Sequence, residues 1–231
     1  LVMDAVERVE VALRVDVGHR LGKKHPQAHE QPQYLDGKFT RDIDVRTGDT
    51  RYNEWIRKMR DSVQKAKDEF VKHHKARYGG NMPIWVVTEL WEFGQLSKFF
   101  AGMHYNDQSY VAKRYGLAEG HQLASWLRAI NFARNVSAHH GRLWNRNIAD
   151  RPSFPVTQHH HLLHHVACDT HAQTRIYGVL CVLQKMLKVV SPGDPCPKDL
   201  KALCSTFPAN KIATLQDAGF PADWNDKALW A

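Results

Sequence analysis

Residues 119–146 read EGHQLASWLRAINFARNVSAHHGRLWNR, and their apolar members Leu123, Trp126, Leu127, Ile130 and Ala133 fall three and four apart. That spacing lines one face of an α-helix, with Arg128, Asn131, Arg134 and Asn135 toward the other side. The same period recurs upstream. Val2, Val6, Val9 and Leu13 predict an amphipathic helix to about residue 17. Tyr52, Ile56, Met59, Val63, Ala66 and Phe70 predict a long charged helix ending near Gly79 and Gly80. Pro83 suits a helix's first turn and introduces an apolar, buried helix over 84–103. A shorter helix is expected over 107–115, closed by Gly116. Downstream, Ile176, Val179, Leu180, Leu183 and Leu187 form the stripe of a last long helix, 159–190, which Ser191-Pro192-Gly193 stops. Residues 21–50 show no sustained period and read as a long irregular connection. No segment alternates with period two between turn signals, so the fold reads as all-α. The expected arrangement is a bundle of five or six helices over 1–190, with 191–231 a compact helical extension packing on it.

With 231 residues, 43% of them hydrophobic, and 7 Trp and 9 Phe, the chain has material for a packed core, which excludes wholesale disorder. No apolar run is long enough to span a bilayer, so a soluble protein is expected, without membrane partners. The chain opens Leu1-Val2-Met3-Asp4, with neither an initiating Met nor a signal peptide, and first residues are expected to be missing. Cys168, Cys181, Cys196 and Cys204 lack Cys-x-x-Cys spacing and read as reduced thiols in a cytoplasm. Lys and Arg number 32 against 24 acidic residues, giving a net charge of +8, to which the 15 histidines can add. A polyanionic partner follows from that balance.

The densest polar segment is Arg134-Asn135-Val136-Ser137-Ala138-His139-His140-Gly141-Arg142-Leu143-Trp144-Asn145-Arg146. Arginine offers a fixed fork of donors to a phosphate, and histidine moves protons near neutral pH. Arg134 and His139 are five apart, about 140° around an ideal helix. They converge on one phosphate only if the helix bends, if it ends near Gly141, or if a second subunit completes the site.

This run resembles the signature of the Abi-like family, bacterial abortive-infection proteins of the HEPN superfamily. Phe70 to Tyr78 with Pro83-Ile84-Trp85, then Trp85 to Gly94 with Glu89, and the closing Gly219-Phe220-Pro221-Ala222-Asp223-Trp224 to Leu229-Trp230 resemble it too. The resemblance implies a helical homodimer whose two R-x4-H motifs meet in one cleft and cut RNA without a metal or other cofactor. Arg134 would hold the scissile phosphate, His139 would act as general acid or base, Asn135 would fix the motif by hydrogen bonding, and Glu89 would reach the site from a neighbouring helix. The 2′-OH would attack phosphorus, leaving a 2′,3′-cyclic phosphate and a 5′-OH. It further implies a defence or toxin–antitoxin setting, with an RNA or protein antitoxin as restraint. Family members generally have a further segment before the helix that opens this chain.

Each residue also has a plainer reading. Arg134 and His139 could be a hydrogen-bonded pair at a helix end. His140 and Asn145 could touch RNA, and Arg142 and Arg146 either contact its backbone or are solvated surface. Trp144 stacks on a base or, as the favoured reading, plugs the core. Glu89, amid apolar neighbours, reads as a buried carboxylate needing a cleft arginine or a structural salt bridge. His159-His160-His161 with His164-His165 has helical spacing for a metal, but lacks a cysteine or a nearby carboxylate at ligand spacing and reads as a solvated, partly protonated helix start. The charged helix reads as a soluble exterior. The rival to the nuclease is a catalytically silent RNA-binding module or a regulatory interaction protein.

Overall fold

A computed structural model describes residues 1–154, 162–208 and 212–231. In chain order its helices are α1 (Val2–Gly22), α2 (Gly37–Thr40), α3 (Arg51–Lys65), α4 (Glu69–Tyr78), α5 (Ile84–Val87), α6 (Phe93–Ala101), α7 (Tyr105–Arg114), α8 (Gly120–Ala138), α9 (His164–Ala167), α10 (Thr170–Gln173), α11 (Ile176–Val190) and α12 (Cys196–Ser205). The one sheet among the described residues is a two-residue antiparallel hairpin, Ile43–Asp44 with Asp49–Thr50. The fold is all-α. No described helix is long and apolar enough to cross a membrane.

Three predicted helices are broken, each for a local reason. The helix predicted over 52–78 is two, because Ala66 and Asp68 are extended, with ψ of 131° and 145°. Only Tyr52, Ile56 and Met59 of its predicted stripe are buried, so the later positions gain little from staying in register. The apolar segment 84–103 stops after α5 and a 3₁₀ turn, Thr88–Leu90, then restarts where Glu92 and Gln95 form a capping box on α6. A cap at that point explains Glu92 among apolar neighbours. The segment 159–190 contains α9, α10 and α11, with Asp169 capping α10 through the Ala172 amide. The irregular stretch 21–50 holds α2, the hairpin and two 3₁₀ turns.

The chain forms two compact units. One comprises Val11–Lys113 and Glu119–His121; the other comprises Leu1–Glu10, Arg114–Ala118 and Gln122–Ala231. In the first, Trp55, Trp91 and Phe99 pack with ring centroids 4.6–4.9 Å apart, and Trp55 Nε1 donates to the Gln95 carbonyl at 3.0 Å. Aromatic pairs of this kind add to what their burial contributes. Gly102 is required there, since a Cβ on it would stand 2.3 Å from the Phe39 ring.

The second unit is organised around α11, buried from Ile176 through Gln184. The apolar face predicted for α8, from Leu123 to Ala133, is buried there as well. The Phe220 ring lies 4.7 Å from Tyr177, and Trp230 Nε1 donates to the Tyr177 hydroxyl at 3.2 Å. The aromatic tail is therefore core material of this unit. Gly219 has φ +87°, and a Cβ on it would fall 2.7 Å from the Arg175 Cβ, so the entry into the tail needs glycine.

Candidate functional site

The last turn of α8 determines how the R-x4-H segment is presented. The helix ends at Ala138, and two hydrogen bonds close it: the His140 amide to the Ser137 carbonyl at 3.1 Å, and the Gly141 amide to the Val136 carbonyl at 2.8 Å. This closure is a Schellman motif, which uses up carbonyls that would otherwise lack donors. Its left-handed position is filled by His140, at φ +53°, instead of the usual glycine. His139 and His140 thus stand exposed where the helix stops, while Arg134 lies half-buried one turn back. The helix thus ends near Gly141, as one of the three conditions for convergence requires.

Arg134 Nη1 donates to Asn135 Oδ1 at 3.2 Å, which ties the guanidinium to its neighbour and limits its rotamers. Beyond Gly141, Arg142 and Arg146 are exposed. The Arg146 guanidinium lies 5.6 Å from the centroid of Phe132, on α8, a cation–π contact that keeps its charge near the helix. Trp144 is half-buried and its ring packs 5.9 Å from Phe207. That contact agrees with a plug. Its Nε1 and Asn145 Oδ1 are nevertheless buried without a hydrogen-bond partner among the described residues, an uncommon state for such groups.

The loop after the motif is anchored at several points. Arg175 Nη1 donates to Asn147 Oδ1 at 3.2 Å, the Ile148 amide donates to the Thr174 carbonyl at 2.9 Å, and Trp126 Nε1 donates to the Ser153 carbonyl at 2.8 Å. These partners lie 26 or more residues away in the chain, so no local pattern could announce Phe207, Asn147 or Arg175 as supports of this segment.

Glu89 departs from expectation. It lies in the 3₁₀ turn of the Val11–Lys113 unit, its side chain is 58% exposed, and its Oε2 is 3.6 Å from Arg14 Nη1. It is not a buried carboxylate, because the helix in which it was expected to be enclosed breaks at that turn. The ion pair belongs to α1.

The histidine cluster divides as well. His159, His160 and His161 lie outside the described residues. His164 is exposed, with Nε2 3.7 Å from the Cys168 sulfur. His165 is half-buried and not a solvated residue: its Nε2 is 2.8 Å from the Tyr177 hydroxyl, and burial, with Lys227 contributing, lowers its pKa. Among the described residues no group of three or more His, Cys, Asp or Glu is placed to hold a metal ion.

No curated protein and no solved structure matches the chain. The sequence profile of one family, described as Abi-like protein, matches residues 1–145. The match covers more than half of the 231 residues, reaches through α8 and the Arg134–His139 pair, and stops short of the aromatic tail. On that match, the chain belongs to the Abi-like protein family.

Proposed function

We propose that this protein acts in abortive-infection defence as a HEPN-type, metal-independent endoribonuclease, working as a homodimer. The observation that carries the reading is the end of α8. There Arg134, held by Asn135, and the exposed His139 belong to one capped helix terminus, followed by the exposed cations Arg142 and Arg146.

In this reading the 2′-oxygen of a ribose bonds to the adjacent phosphorus as a base removes its proton. The P–O5′ bond breaks, and the departing oxygen is protonated. The copies of His139 on the two subunits serve as base and acid, and Arg134 offsets the charge that builds on the non-bridging oxygens. Asn135 acts as a positioning residue. Arg142, Arg146 and His140 meet flanking phosphates, while Trp144 and Asn145 reach RNA only if the loop rearranges, because Trp144 Nε1 and Asn145 Oδ1 are buried. A ribonuclease that halts growth needs restraint, and an RNA or protein antitoxin fills that role in the proposal.

The test is incubation of the purified protein with total bacterial RNA in EDTA, beside an Arg134→Ala/His139→Ala variant. Cleavage by the wild type alone, leaving cyclic phosphate and 5′-OH ends, is the expected result. RNA retained in a gel shift without cleavage by either protein would replace the nuclease with an RNA-binding module. In that case Arg142→Ala lowers affinity and its salt slope while His139→Ala does little.

A further inference from the structure

The Val11–Lys113 unit contains an open cleft of about 370 Å³ between α1 and the α5 segment, which shares with the candidate residues above only the Arg14–Glu89 pair. Its volume falls in the lower part of the roughly 300–1,000 Å³ range of small-molecule sites. The sequence of α1 and of Lys23, the residue that follows it, builds it from two rows. Arg14, Gly18 and Gly22, each four apart, form the floor, and Val15, His19 and Lys23 form the outer ridge. The opposite wall is Trp85, Thr88 and Glu89.

Trp85 is 51% exposed, although Ile84 and Val87 beside it are buried. The absent side chains of α1 seat its ring. A Cβ on Gly18 would lie 3.3 Å from the Trp85 Cα, and one on Gly22 would lie 2.9 Å from the indole Cε3. The indole is thus held by its edge against the helix while half of it stays open to solvent. Of the seven tryptophans, all among the described residues, Trp85 is the one that is exposed. Around it the charges are Arg14, Lys23 and Glu89, so the cleft is net positive. The Arg14–Glu89 pair closes one end. Lys23 and His19 are exposed on the ridge.

An exposed indole beside an exposed ammonium and an imidazole fits a ligand that is aromatic at one end and anionic at the other. We propose that this cleft binds one nucleotide unit, with its base stacked on Trp85 and its phosphate held by Lys23 and His19. The unit is either a free nucleotide or one residue of a single strand; the chemistry recognised is the same. The proposal is independent of the reading of α8.

The probes are AMP and a short single-stranded oligoadenylate, titrated calorimetrically into the full chain and into Trp85→Leu, Lys23→Glu and Arg134→Ala/His139→Ala variants. Thermal melting establishes that each variant is folded, and Trp85→Leu keeps an apolar contact with the glycine row. Binding weakened about tenfold or more in Trp85→Leu and in Lys23→Glu, and unchanged in the α8 double variant, is the expected result. If AMP binds this way the site takes a free nucleotide; if only the oligoadenylate does, it takes a residue of a strand. Binding of neither probe, or equal binding by wild type and both cleft variants, overturns the proposal.

Discussion

The carboxylate of Asp107, fully buried on α7, receives the Arg20 Nε–H at 2.7 Å. Lys24 Nζ reaches its other oxygen at 2.6 Å. The Arg20 guanidinium also lies 4.3 Å from the Tyr110 ring, so one residue of α1 engages two turns of α7. A buried anion is tolerated only when both its oxygens are paired, and here Arg20 in the last turn of α1 and Lys24 in the turn just after it achieve that.

Removing one side of this arrangement takes a partner from the other. Asp107→Ala is expected to destabilise the protein by about 1–3 kcal/mol, because both charge-assisted hydrogen bonds are lost while the two cations, 27% and 35% exposed, turn to water. Lys24→Ala, at a side chain 35% exposed, should cost clearly less. Urea unfolding of the two variants checks the order; equal losses would mean that Asp107 contributes no more than a surface pair.

His29 is buried beside Trp91, and burial, helped by nearby Arg60, lowers its pKa to about 4. The unfolded chain takes up this proton near the ordinary value of about 6.5. Between those values the unfolded state binds more protons, so stability falls as pH drops from about 6.5 toward 4 and levels off below. The full effect is on the order of 3 kcal/mol. It is read as the difference in pH slope between wild type and His29→Leu, and parallel slopes would show that His29 is not held neutral.

The left-handed conformation of His140 carries a strain that glycine would not. His140→Gly is expected to stabilise the fold by about 1 kcal/mol. For a chain of this size that raises the melting temperature by about 2–4 °C. Strain kept at such a position commonly marks a functional residue. A variant that is more stable yet weaker toward RNA would place His140 in the binding surface.

The four thiols should differ in reactivity. Cys168 is exposed, whereas burial raises the pKa of Cys181 and pushes that of Cys196 up to about 11. Since the thiolate is the nucleophile, iodoacetamide near pH 8 should modify Cys168 first and reach Cys181 and Cys196 only on unfolding. Peptide mass mapping after timed labelling checks this, and early modification of Cys181 would contradict its burial.

Much of the local structure was legible because it depends on neighbours in sequence. The apolar face of α8, the start of α1, and α7 with its stop at Gly116 all follow from periodicity and capping. The breaks in the predicted helices over 52–78, 84–103 and 159–190 were less visible. Apolar periodicity continues across each of them, and only the extended residues and caps at Ala66, Glu92 and Asp169 reveal that the chain turns. The R-x4-H segment was likewise readable as a pattern, but its closure through a left-handed His140 was not, since histidine seldom fills that position.

The sequence by itself determined the helical class, the family and the polar run from Arg134 to Arg146, because each rests on residue identity and short spacing. Only the tertiary structure decided that Glu89 is an exposed partner of Arg14, that Trp144 packs on Phe207, and that Asp107 is clamped by Arg20 and Lys24. Those contacts join residues from 63 to 87 positions apart. Burial and ion pairing act through space, and the energy that selects such partners depends on packing that local spacing does not encode.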